Sequence, residues 1–130
     1  MKKKLFILTL IGLISSASAY AACDGGTEIT NTAGTTFCKS NVTMNWWSAA
    51  AWCKANGMQL ASMYELCPSW DGNSGVDCLE LSGTAEGGAW SSTASDEEHA
   101  FAFRLSDGYI HVGYNDGIRH RDDFYSALCR

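Results

Sequence analysis

The side chains of this chain that could hold a metal or move a proton are, first, three histidines, His99, His111 and His120, with the neighbouring carboxylates Asp122 and Asp123. Their spacing matches no structural zinc pattern, in which ligands come in close pairs. Histidines on the surface are the plain account, and no metal ligand is assigned. A serine hydrolase would need its nucleophile on a recognisable strand-to-helix turn of the G-x-S-x-G kind, and the sequence has none. Ser95-Asp96-Glu97-Glu98-His99 reads as a solvated loop between strands. A reactive thiol needs an electropositive, exposed setting, so the six cysteines read as structural. The expectation is therefore no catalytic residue, no enzyme activity and no cofactor, with calcium the one cation left open.

A different chemistry is concentrated between Asp107 and Tyr125. If Ile110 and Val112 face a core, the alternation of a strand turns Tyr109 and His111 outward. Then follow Tyr114, Asn115, Asp116, Arg119, His120, Arg121, Asp122, Asp123 and Tyr125. Tyrosines offer rigid contact area, and Asn, Asp, His and Arg offer adaptable hydrogen bonds, the combination found in paratopes. The stretch is expected to bind a ligand. The alternative is an ordinary polar sheet face with a charged loop.

These residues need a scaffold, and the N-terminus says where it works. Lys2, Lys3 and Lys4 precede an apolar run from Leu5 to Ile14, and Ala19-Tyr20-Ala21 offers an A-x-A cleavage site. This reads as a secretory signal peptide over 1–21, removed to leave a domain over 22–130. The run is shorter than the roughly 20 residues that span a bilayer. The expected location is outside the cytoplasm: periplasmic, secreted or at the cell surface, with no membrane insertion after cleavage. A lipid on Cys23 fits poorly, because Tyr20 stands where a lipobox carries Leu. Three of nine Lys and Arg leave with the leader while all 14 acids stay, so the formal charge falls from −5 to −8. That charge excludes nucleic acid and anionic membrane as partners, since both require basic surfaces. It fits a soluble secreted or periplasmic protein; the expected partner, a protein or a glycan at a cell surface, rests on other grounds.

Cys23, Cys38, Cys53, Cys67, Cys78 and Cys129 all lie after the leader. An even count in an exported domain of this size reads as a disulfide framework whose connectivity stays open. Asp24 to Asn41 is a polar stretch that reads as a hairpin closed by Cys23 and Cys38, or as the start of two unrelated bridges. Asn45 to Asn56 reads as a helix, with Asn45 as N-cap and Gly57 beyond its last turn. Trp46, Ala49, Ala50 and Cys53 share one face. Trp47 and Trp52 fall off it, so the helix is covered on more than one side or one tryptophan is exposed. Ser62 and Glu65 form a capping box for a second, short helix that Pro68 ends. Ser69 to Gly88 is rich in Gly, Ser and Asp and reads as a long loop, which Cys67 and Cys78 would tie down if bridged. "AWSST", "AFAFRL", "YIHVGY" and "FYSALC" read as strands, with Ser106-Asp107-Gly108 as a hairpin turn. The expected class is α+β: two helices, an antiparallel sheet and a long loop region.

The helix carries a specific spacing: Trp46-x2-Ala49-x3-Cys53-x3-Gly57-x2-Leu60-Ala61, with Glu65 in the next helix. It resembles the first-helix motif of C-type lectin-like domains, and the closing Ala127-Leu128-Cys129-Arg130 resembles that family's last strand. The "AWSST" segment, the "AFAF" strand and the terminal Leu-Cys are similar to bacterial secreted and surface domains of the same fold. Together the resemblances cover most of Cys23 to Arg130. They imply a C-type lectin-like fold with bridges Cys53–Cys129, Cys23–Cys38 and, by what is left, Cys67–Cys78. A Cys53–Cys129 bridge would close about 75 residues and contribute roughly 4 kcal/mol in the chain-entropy model.

The resemblance implies a non-enzymatic ligand-binding module. Sugar-binding members use calcium, which takes six to eight oxygens. Their E-P-N or Q-P-D tripeptide has no counterpart here, and Tyr114-Asn115-Asp116 is a partial match to their W-N-D. Asn115-Asp116-Gly117 also reads as a simple turn. A glycan lectin, with or without calcium, is thus the alternative, and a structural envelope component is a third reading. The loading of Asp107–Tyr125 is similar to that of retroelement-diversified members of the family, which bind proteins or cell surfaces. The formylglycine-generating relatives are far longer, and their activity is not carried over.

Overall fold

The computed structural model describes residues 23–73, 75–111 and 123–130. The polar N-terminal stretch folds as a hairpin of β1 (Gly26–Thr30) and β2 (Thr36–Met44), paired from Gly26↔Ser40 to Thr30↔Thr36. Its turn is organised by Asn31, whose buried amide accepts from the Thr35 N–H (2.9 Å) and donates to the Leu66 carbonyl (3.0 Å). Cys23–Cys38 closes the other end, with Cα atoms 5.6 Å apart. Gly26 is needed there, because a Cβ would lie 2.7 Å from the Cys38 sulfur.

Helix α1 (Trp46–Ala55) starts at Asn45, whose side chain accepts from the Ser48 N–H at 2.8 Å. It stops in a Schellman turn: Gly57, at φ 73°, donates to Lys54 O, and Met58 donates to Cys53 O. Ala49 and Cys53 are its buried stripe. Trp47 is half exposed, edge-on to Trp46, and Trp52 lies near Gly25 of the hairpin. Leu60 and Ala61 then run beside the last strand, and the Ser62–Glu65 capping box starts α2 (Met63–Leu66). The long loop holds a 3-10 turn, Leu79–Leu81, and is tied by Cys67–Cys78.

Four more strands complete one sheet: β3 (Gly88–Ala94), β4 (Ala100–Arg104), β5 (Ile110–His111) and β6 (Tyr125–Cys129), in the order β1-β2-β6-β3-β4-β5. The expected all-antiparallel sheet is corrected in one place: β3 and β6 are parallel. The last strand inserts between β2 and β3 and runs antiparallel to β2. Antiparallel steps from β3 to β4 to β5 leave β5 running with β3. β6 is parallel to β3, so the two are joined by a crossover connection and not by a hairpin, with β4 and β5 between them in sequence.

Alternation along the strands gives the sheet two apolar faces. Phe101 and Phe103 of β4, Ala89 and Leu128 meet α2, Trp70 and Leu81 on one side. Ala100 and Ala102, Trp90, Ala127 and Cys129 meet Ala49 and Cys53 of α1 on the other. Cys53–Cys129 fastens that helix to the central strand, with Cα atoms 5.5 Å apart. The three bridges join the same pairs that the family resemblance implied. No helix of the described residues is long and apolar enough to cross a membrane.

Candidate ligand-binding surface

Five residues form one transverse row across the α1 face of the sheet: Tyr125, Gly88, Arg104, Tyr109 and Asp77. Gly88 pairs with Arg104, the Arg104 N–H donates to Tyr109 O (2.9 Å), and Asp77 bridges to Tyr109. Tyr125 crosses Gly88, whose missing Cβ leaves the space that the Tyr125 ring fills.

Within the row, the Arg104–Tyr109 pair is the most organised. The Arg104 guanidinium carbon lies 5.6 Å from the centroid of the Tyr109 ring. Its Nε donates to both Asp107 oxygens, at 2.9 and 3.0 Å, and Asp107 Oδ1 also accepts from the Tyr109 N–H at 3.1 Å. These bonds, Arg104's foremost, hold the Asp107 carboxyl at about 2. The same pair raises the Arg104 guanidinium above its ordinary value. Tyr109 itself is 38% exposed, so a rigid aromatic ring is displayed to solvent beside an ion pair.

The long loop supports this corner from outside. Ile110 N–H donates to Val76 O, Gly75 N–H to Ile110 O and Cys78 N–H to Gly108 O, so residues 75–78 run as an added edge beside β5. Gly108, at φ 73°, sits so close that a Cβ would run into the Cys78 carbonyl. Val76 and Leu79 are exposed on the same loop. The Cys67–Cys78 bridge thereby ties the tip of the β4–β5 hairpin to the body of the domain.

Of the residues expected to bind, the structure places Tyr109 as anticipated, with Ile110 buried behind it. His111 follows in β5, opposite Ala102. Tyr114, Asn115, Asp116, Arg119, His120, Arg121 and Asp122 lie outside the described residues. Asp123 is exposed. Tyr125 is not brought to Tyr109: three strand spacings, about 14 Å, separate β6 from β5. Its ring packs edge-on against Trp90, with centroids 4.8 Å apart, and burial pushes its phenol up. Arg104 and Asp77 lie outside the stretch that the sequence points to, and Asp107 enters there only as its first residue and as part of a turn. Arg104 and Asp107 flank a turn three residues apart, a signal that was legible. Asp77 arrives from the long loop, and no local pattern announces it.

Cys67, Cys78 and Glu80 bring potential metal-ligand atoms within 4.8 Å of one another, but both sulfurs are spent in a disulfide. Glu80 instead accepts from the Ser69 hydroxyl at 2.8 Å and its N–H at 3.2 Å. His99 lies 2.6 Å from Asp96, which also caps the Glu98 and His99 amides. That local turn lowers the Asp96 carboxyl, through the Glu98 amide first.

The fold and the site together define a disulfide-bonded α+β domain that carries a preorganised aromatic corner on its sheet. Comparison with family models, with curated proteins and with solved structures finds no match to the chain.

Proposed function

We propose that this chain is an exported, non-enzymatic ligand-binding module of C-type lectin-like fold, which engages a protein or cell-surface target through its C-terminal strand and loop face. The observation that carries the reading is the Tyr109 ring, exposed beneath the Arg104 guanidinium, with its backbone N–H held by Asp107. A displayed tyrosine that is already ordered loses little entropy when a partner packs on it. Support for the scaffold comes from Cys53–Cys129, which joins the first helix to the last strand, and from the hairpin bridge Cys23–Cys38. Three bridges suit a domain that works in an oxidising compartment.

The test compares the oxidised 22–130 domain with its Tyr109→Ala variant for binding to intact cells. Binding should fall at least about tenfold, as for an aromatic hot spot, while the thermal midpoint barely moves. Equal binding by the two proteins would sink the reading. A glycan-array signal abolished by EDTA would reassign the domain to the calcium-dependent lectins.

A further inference from the structure

Trp46, Ala50 and Lys54 follow one another at i, i+4 and i+8 along α1, so they form an axial stripe. Facing the stripe are Met58 and Leu60 of the following segment and Ser92 of β3. Between them lies an open cleft of about 650 Å³. That is within the range of small-molecule sites, about 300–1,000 Å³. Its walls are held in place from behind. Trp46 Nε1 donates to Ser91 O at 2.9 Å, the Schellman turn sets Met58, and Leu60 is buried and bridged to Cys129.

The charge of the cleft is opposite to that of the chain. No Asp or Glu lines it, although the protein carries 14 acids against nine lysines and arginines. Lys54 is its one cationic lining residue, exposed, and it makes no salt bridge among the described residues. Eight residues of helix put Lys54 about 12 Å from Trp46. The cleft is thus lined by Trp46 and Lys54 at the two ends of the helical stripe, by the apolar residues Ala50, Met58 and Leu60 between them, and by the neutral polar residues Gln59 and Ser92.

We propose that this cleft is a second binding site, for a small monocarboxylate with an apolar body about 10 Å long. The body lies along Trp46, Ala50, Met58 and Leu60, and the carboxylate meets Lys54. The occupant is chosen by charge complementarity. A cationic ligand meets a like charge at Lys54, the second carboxylate of a doubly acidic one finds no cation in the lining, and the apolar residues disfavour a fully polar one. A lysine in the last helical turn also complements the helix dipole. That role alone would make Lys54 matter for stability and leave carboxylate binding indifferent to it.

The probe is decanoate, titrated into the oxidised domain and followed by tryptophan fluorescence and by amide shifts of 46–60. Saturable binding is expected at about 1 mM or tighter, with decylamine, the same chain with the opposite charge, binding more weakly. Lys54→Ala should weaken decanoate about threefold to fivefold, the scale of an exposed ion pair, and Lys54→Glu further. Ala50→Phe fills the cleft and should abolish binding. Its three disulfides and thermal midpoint serve as the folding check, and Lys54→Glu carries the test if Ala50→Phe misfolds. Tyr109→Ala should leave decanoate untouched, so failure here is separable from failure of the Tyr109 surface. The proposal is overturned if decanoate shows no saturable binding, if decylamine binds equally, or if Lys54→Glu binds as wild type. It is also overturned if the domain self-associates and Ala50→Phe makes it monomeric, since a second copy would then be the occupant.

Discussion

The guanidinium of Arg104 lies over the ring of Tyr109, 5.6 Å from its centroid, while Asp107 grips the same guanidinium from within the turn that joins their strands. The turn brings Asp107 to Arg104 and to the Tyr109 backbone N–H, and the bonded guanidinium covers one face of the Tyr109 ring. This is how an exposed tyrosine becomes a defined surface on a two-strand edge.

The clamp has a calculable pH range. Asp107 has a depressed carboxyl, about 2 in the folded domain, against an ordinary value of about 3.9. A depressed carboxylate contributes fully above its unfolded value and loses the contribution as pH falls through the folded one. The Arg104–Asp107 contact should thus be intact at neutral pH and down to about pH 4, then break toward pH 2. A carboxyl NMR titration checks this. Arg104→Gln should move the Asp107 inflection up toward the ordinary value, held slightly below it by the Tyr109 amide. A wild-type inflection already at the ordinary value would show that the clamp does not persist in solution.

Gly88 and Tyr125 should be energetically coupled. A Cβ at Gly88 would enter the Tyr125 ring and push it off Trp90. Gly88→Ala is expected to cost about 1–3 kcal/mol, the range of an overpacked site. In a Tyr125→Ala background the cost should shrink to a few tenths of that, because the obstructing ring is gone. Urea unfolding of the four proteins measures it, and additive losses would refute the coupling. The same contact makes Tyr125 a poor probe of binding, since its removal alters the core edge.

The bridges should rank by the loops they close. Cys53–Cys129 spans 76 positions and Cys23–Cys38 spans 15. Loop-closure entropy then assigns roughly 4 kcal/mol to the first and roughly 3 to the second. Cys53→Ala with Cys129→Ala should lower the thermal midpoint more than Cys23→Ala with Cys38→Ala, and it also empties a fully buried position on each side. The reverse order in calorimetry would mean that residual structure in the unfolded chain outweighs loop length.

Local signals were legible where a few neighbouring residues close their own hydrogen bonds. Asn45, the Ser62–Glu65 capping box and the Gly57 stop act within one helical turn, so their residue types and spacing suffice. The buried stripe Ala49–Cys53 and the alternation of Phe101, Ala102 and Phe103 likewise follow from backbone periodicity. The cysteine spacing, read with the family resemblance, anticipated the three bridges.

Tertiary structure decided what depends on distant chain segments meeting. The parallel β3–β6 pair exists because the last strand inserts beside β2, a choice that no local pattern records. Asp77 joins Tyr109 across 32 positions through an edge pairing of the long loop, whose composition shows only that it is a loop. Tyr125 has the residue type of a contact residue, yet Gly88 and Trp90 receive it as packing. A side chain's chemistry is written in the sequence, but whether it faces a partner or a neighbour depends on which strand is laid beside it.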